Sequence, residues 1–175
     1  MMKRFYWLVT LMVLAVATSA APAQSDAWSP SMVGVGAHGY YWQIGNWSCT
    51  NSMHTPMSGP SSQTSTVTRT NSGAVMFHIT GENLDLVAYN VYVAKTKTWL
   101  APFALADGSY GSESTTQTGK TTVWTGPQFF VSTGKTMQAR DTYVILSSTK
   151  YTDLGEYQSD DGTWKKLYDL TCTKT

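Results

Sequence analysis

The sequence predicts an all-β fold. We expect an antiparallel up-and-down β-barrel of about 8–10 strands, with a short irregular or helical N-terminal plug. Three observations point there. Thr and Ser supply 26 and 18 of the 175 residues, there are 14 Gly, and charged residues make up only 13%; β-branched residues and turn formers suit strands and tight turns. Short apolar runs recur between turn signals, and none carries a helical period of useful length. Two cysteines, Cys49 and Cys172, stand near the two ends of the domain.

The chain opens with an export signal. Lys3 and Arg4 precede an apolar run, Phe5 to Ala17, broken only by Thr10. Ala21-Pro22-Ala23 has the small-x-small form that a signal peptidase accepts, so residues 1–23 are expected to leave by cleavage before Gln24. The run is shorter than the roughly 20 residues of a comfortable span; an uncleaved anchor is the rival reading. No later segment is apolar enough to span a bilayer, so no stable membrane insertion is expected after cleavage. The mature protein is expected in the periplasm or outside the cell. In such a compartment an even pair of cysteines reads as a disulfide. Closing so long a loop should stabilise the fold by about 4–5 kcal/mol on the chain-entropy account.

The elements follow in order. Residues 24–32 read as a flexible lead-in and residues 33–175 as the barrel domain. Val33 to Trp42 mixes Gly34, Gly36 and Gly39 with aromatics and reads as the plug. Ile44–Asn51 is the first strand, Ser52–Ser62 a loop, Thr64–Thr70 the next strand, and Asn71-Ser72-Gly73 a turn. In Ala74–Thr80, Val75, Phe77 and Ile79 face one way and Met76 and His78 the other. Gly81-Glu82-Asn83 turns the chain into Leu84–Ala94, whose two faces carry Val87, Tyr89, Val91 and Leu86, Ala88, Asn90. Pro102 in Trp99–Leu105 predicts an edge or a bulge. Tyr110–Thr118 and Thr121–Val131 are strands, the second bent at Gly126-Pro127. A strong strand is expected over Thr142–Tyr151, a bend at Asp153 to Gly155, a brief pairing near Glu156–Gln158, a turn at Asp160-Asp161-Gly162, and a last strand over Thr163–Thr173. A bridge between the first and last strands would set them side by side and close the sheet. An open two-sheet sandwich with the same bridge is the alternative.

Gly45-Asn46-Trp47, opening the first strand after a short irregular segment, resembles the Gly-x-Trp signature of lipocalins and related calycin barrels. The stretch Tyr157 to Trp164 is similar to the C-terminal hairpin of small exported lipocalin-like bacterial proteins of unknown function. The resemblance spans about Val33 to Lys174. It implies that Gly45 allows close passage of the chain and that Trp47 packs across the closed end of the barrel. Lipocalins usually place an Arg over that Trp; the last strand here offers Lys165, Lys166 and Lys174.

Function is less legible. Net charge is +1, which argues against a nucleic-acid partner held by phosphate contacts. Most strand aromatics read as core. Tyr92, Trp99, Phe103, Trp124, Phe130 and Tyr143 are the candidates to line a pocket for a small apolar or amphipathic ligand. His38, His54 and His78 share no ligand spacing, so no metal and no cofactor is expected. Nitrobindin-type haem barrels use a His late in the chain, and none follows His78. No catalytic residue is assigned. The single acid/base cluster worth weighing is His78 with Glu82 and Asp85. The sequence thus favours an exported, non-catalytic carrier. An envelope protein-interaction module, an inhibitor or assembly factor using loops Ser52–Ser65 and Ser109–Lys120, is the alternative. An enzyme is the third reading.

Overall fold

Each apolar-polar run in the chain is followed by a turn too short for a crossover, so consecutive strands must pair antiparallel. The computed structural model describes Ser29, residues 32–53 and residues 59–175. The expected signal peptide, most of the lead-in, and His54 lie outside the described residues. The strands are β1 (Gly45–Asn51), β2 (Ser62–Arg69), β3 (Val75–Gly81), β4 (Leu84–Val93), β5 (Thr98–Leu105), β6 (Tyr110–Thr115), β7 (Thr121–Phe130), β8 (Lys135–Ser147), β9 (Lys150–Gln158) and β10 (Trp164–Lys174). Each pairs with the next, and β10 pairs with β1, so the sheet is a closed antiparallel barrel of ten strands.

Closure is set by one register. Trp47 stands opposite Lys174, Cys49 opposite Cys172, and Asn51 opposite Leu170. The two cysteines form a disulfide with their Cα atoms 4.0 Å apart, and both are buried inside the barrel. Among the described strands no edge is left for another chain to pair with.

The plug crosses one end as two single-turn 3₁₀ helices, Gly36–His38 and Tyr41–Gln43. Between them Tyr40 drops into the barrel, edge-on to Trp99 and 5.0 Å from Trp124. Its hydroxyl donates to the Gln117 carbonyl at 3.0 Å. The Trp47 indole N–H donates to the Gln43 carbonyl at 2.6 Å, tying the plug to β1. Lys174 Nζ lies 5.2 Å from the centre of the Trp47 ring, within cation–π range. Its stem passes over Gly45, whose φ of +134° is a region side chains disfavour.

Several local expectations give way to tertiary structure. The turn expected at Asp153 to Gly155 lies instead at Ser148-Thr149, inside the run read as one strand. β9 then runs unbroken through Asp153 and Gly155. Asp and Gly are turn formers locally, but here the absent side chain of Gly155 makes room for the Tyr168 ring, which a Cβ would strike. Gly126-Pro127 makes no break either: β7 passes through it, packed closely against the Ser112 and Glu113 backbone. Pro102 sits within the closed sheet, and the β4–β5 register is the same on either side of it, with Ala88 opposite Phe103 and Val91 opposite Leu100. A closed barrel has no edge to which it could retreat. The Asp160–Gly162 turn is a hairpin, with Asp161 Oδ1 accepting from the Thr163 N–H at 2.9 Å.

Because the bridge joins the first and last strands, removing it should cost about 4–5 kcal/mol. The Cys49→Ala/Cys172→Ala double variant, compared with the oxidised protein by guanidinium unfolding, checks this. An unchanged midpoint would mean that the strand register alone holds the barrel shut.

Candidate functional site

Strand alternation places residues two apart on the same wall, so the inward set can be read from the register. Leu86, Ala88 and Asn90 of β4 point in, while Val87, Tyr89 and Val91 point out and are each 38% exposed. The inward faces enclose a cavity of about 630 Å³. Residues at its rim, among them Pro60, Asn83, Asp107 and Ser132, come from the connections at the end opposite the plug. One end of the barrel is therefore stoppered by Tyr40 and Trp47, and the other opens into the cavity.

The walls and the floor differ in chemistry. Phe77, Ile79, Leu86, Phe103, Phe130 and Leu167 make the walls apolar. Toward the plug, Glu113 of β6, Asp141 of β8 and Asp153 of β9 line the cavity together with Tyr143 and Tyr168. The register explains this grouping. Asp141 stands opposite Trp124 on β7 and Gly155 on β9, and Gly155 stands opposite Tyr168 on β10. Asp153 stands opposite Tyr143. Tyr168 can reach Asp141 because the position between them is a glycine.

Burial governs these acids. Desolvation is the main cause that raises Glu113 to about 10, and the Asp141 carboxylate beside it adds to the shift. Desolvation raises Asp141 to about 6, held back by hydrogen bonds with Tyr168 and Glu113. Asp153 is likewise held well above the usual carboxylate range by burial and then by Asp141, against a hydrogen bond from Tyr143. The phenols of Tyr143 and Tyr168 are raised by burial and by the carboxyl charges, so both remain donors. Asp141 is half-buried in the cavity wall, deep enough for desolvation to favour its neutral form. Glu113 and Tyr168 thus hydrogen-bond to Asp141, and Tyr143 to Asp153. Asp153 Oδ1 is buried without a hydrogen-bond partner.

Of the six aromatics expected to line a pocket, Phe103, Trp124, Phe130 and Tyr143 border the cavity. Trp99 points inward but lies beneath the plug against Tyr40, and Tyr92 packs on Trp99; the plug takes the space they would otherwise line. Glu113, Asp141, Asp153 and Tyr168 were not anticipated. The available signal was same-face spacing, Asp141 with Tyr143 and Asp153 with Tyr151, but reading Asp153 as a turn residue hid it. His78 lies on the outer surface, with Nε2 2.9 Å from Asp85 Oδ1, while Glu82 sits at the cavity rim. The structure does not bring His78 and Glu82 together at the barrel mouth. His38 stacks on Tyr41 in the plug, 4.8 Å between ring centres. Among the described residues no three His, Cys, Asp or Glu side chains are grouped to hold a metal ion. The two stretches expected as contact loops are partly strand, 62–65 in β2 and 110–115 in β6, and their connecting parts lie at opposite ends of the barrel. No helix among the described residues is long and apolar enough to cross a membrane.

No protein-family model matches the chain, and no curated protein matches it.

The buried acids make stability depend on pH in a defined direction. Unfolded, they lose their protons near pH 4. Folded, Asp141 keeps its proton up to about 6 and Glu113 up to about 10. Between those limits the folded state binds more protons, so stability falls as pH rises. Each retained proton contributes up to about 1.4 kcal/mol per pH unit. Denaturation midpoints should decline from about pH 5 to about pH 9, and Glu113→Gln should decline less steeply. Parallel slopes for the two proteins would show that Glu113 is ionised in the fold. Gly155→Ala should cost about 1–3 kcal/mol by driving the Tyr168 ring off its seat, measured by the same unfolding.

Proposed function

We propose that this protein is an exported, lipocalin-like carrier that holds a small apolar or amphipathic molecule inside its barrel without transforming it. The observation that carries this reading is the cavity of about 630 Å³, stoppered at one end and open at the other. Its size and its mainly apolar walls are those of small-molecule sites. The lipocalin-like assignment is supported by Gly45 and Trp47 at the start of β1 and by the cation of Lys174 over the Trp47 ring. Export is supported by the buried Cys49–Cys172 disulfide, a bond that persists in oxidising compartments.

Trp124 borders the cavity and should report an occupant. Titration with a panel of fatty acids, retinoids, haem and other amphiphiles is expected to give a saturable fluorescence change for at least one. Ala88 stands between Phe77 and Phe103 in the register, so Ala88→Phe puts a third ring into the wall. It should weaken that binding about tenfold, or about 1.4 kcal/mol. A panel with no saturable binder would sink the carrier reading.

One outer feature favours a second reading, an envelope protein-interaction module. Val87, Tyr89, Val91, Leu100 and Tyr110 form an exposed apolar area on β4 to β6, and such areas on soluble proteins mark contact surfaces when they are large. A stoichiometric protein partner recovered from the native envelope, lost in Tyr89→Asp, would favour it over the carrier.

A further inference from the structure

Resting on the carrier reading, we propose that the occupant is an organic cation: an amphiphile whose protonated amine sits on the Asp141–Glu113–Asp153 floor, with its apolar body lying toward the mouth. The charge balance of the lining is the first argument. Five carboxyl side chains border the cavity, Glu82 and Asp107 near the rim and Glu113, Asp141 and Asp153 on the floor; among the described residues no Lys, Arg or His does. A ligand carboxylate would have no cation to meet there. It would also face the Asp141 charge in a desolvated space, where like charges repel strongly.

The second argument is the unfilled hydrogen-bonding capacity. A buried acceptor without a donor is costly, and native structures rarely leave one. Asp153 Oδ1 is such an acceptor, on a side chain that is 5% exposed and belongs to the floor. Tyr143 and Tyr168 already donate to the acids, so what the floor lacks is a further donor. A primary ammonium supplies three. Trp124, Tyr143 and Tyr168 border the same floor, where a cation comes within reach of aromatic rings. A metal ion fits less well, because no three of the acidic groups converge as ligands and the surrounding groups are phenols and an indole.

The walls restrict the rest of the molecule. Above the floor the cavity is bordered by Phe77, Ile79, Leu86, Phe103 and Phe130, none of which bonds a polar tail. The part of the occupant that lies there is therefore alkyl or arylalkyl.

Three probes of equal chain length separate the arguments: dodecylamine, dodecanol and dodecanoate, each titrated below its micellar concentration at neutral pH and read by calorimetry and Trp fluorescence. The amine is expected to bind at least tenfold more tightly than the alcohol, and the carboxylate more weakly than either. Asp141→Asn should bring the amine within about threefold of the alcohol, and Asp153→Asn should narrow the gap in the same direction, should the first variant fold poorly. Equal affinity for all three probes, or preference for dodecanoate, would overturn the cation proposal while leaving the carrier reading in place. If none of the three binds, while another member of the wider panel does, the cation proposal likewise fails alone. If nothing binds, both fail.

Discussion

The pairing of β1 with β10 is the contact on which the other features depend. An up-and-down meander with a free first and last strand is a curved sheet with two sticky edges; joined, it has an inside and an outside. The register that joins them sets Cys49 against Cys172 on the inner face and Trp47 against Lys174 two pairs further toward the plug. The covalent link therefore lies in the seam itself. The same seam carries the aromatic and cationic contacts that seat the plug, since Trp47 bonds the Gln43 carbonyl and lies under Lys174. Closure, stoppering and the existence of a cavity are consequences of one alignment of two strands.

A closed barrel of ten strands encloses more volume than its own side chains fill. Part of that space goes to the plug: Tyr40, Trp99 and Trp124 pack there as an aromatic layer. The rest is left open, and Trp124 forms the partition between the two. On the open side the chain does something that stability alone would not select. It buries three carboxyl groups near one another, at the cost of a desolvation that disfavours the charge of each. Tyrosine donors and two glycines, Gly126 beside Glu113 and Gly155 beneath Tyr168, make the arrangement sterically feasible. Local departures from an optimal core tend to sit where function is, and here they fall on the floor of the cavity.

The outer surface follows a different logic. Val87, Tyr89 and Val91 alternate with cavity-lining residues on the same strand, so β4 is apolar on both faces. The inner face is explained by the cavity. The outer one, with Leu100 and Tyr110 beside it, is an apolar area that the closed barrel leaves uncovered.

The sequence alone determined the fold class, because period-two alternation and frequent turn residues are local signals that survive into the structure. Val75, Phe77 and Ile79 face inward as their spacing requires, and the plug stands where the glycine- and aromatic-rich segment stands. The pairing of Cys49 with Cys172 was legible too, since two cysteines at the ends of a meander have few partners to choose from. The floor was not legible. Asp153 and Gly155 carry the local chemistry of a turn, and only packing against Tyr143 and Tyr168 keeps them in a straight strand. Which aromatics face the cavity and which face the plug was likewise undecided: Trp99 and Trp124 both point inward, and their fates differ by where Tyr40 comes to rest. Those outcomes rest on contacts between strands far apart in the chain, set by the register of a closed sheet, which no local pattern encodes.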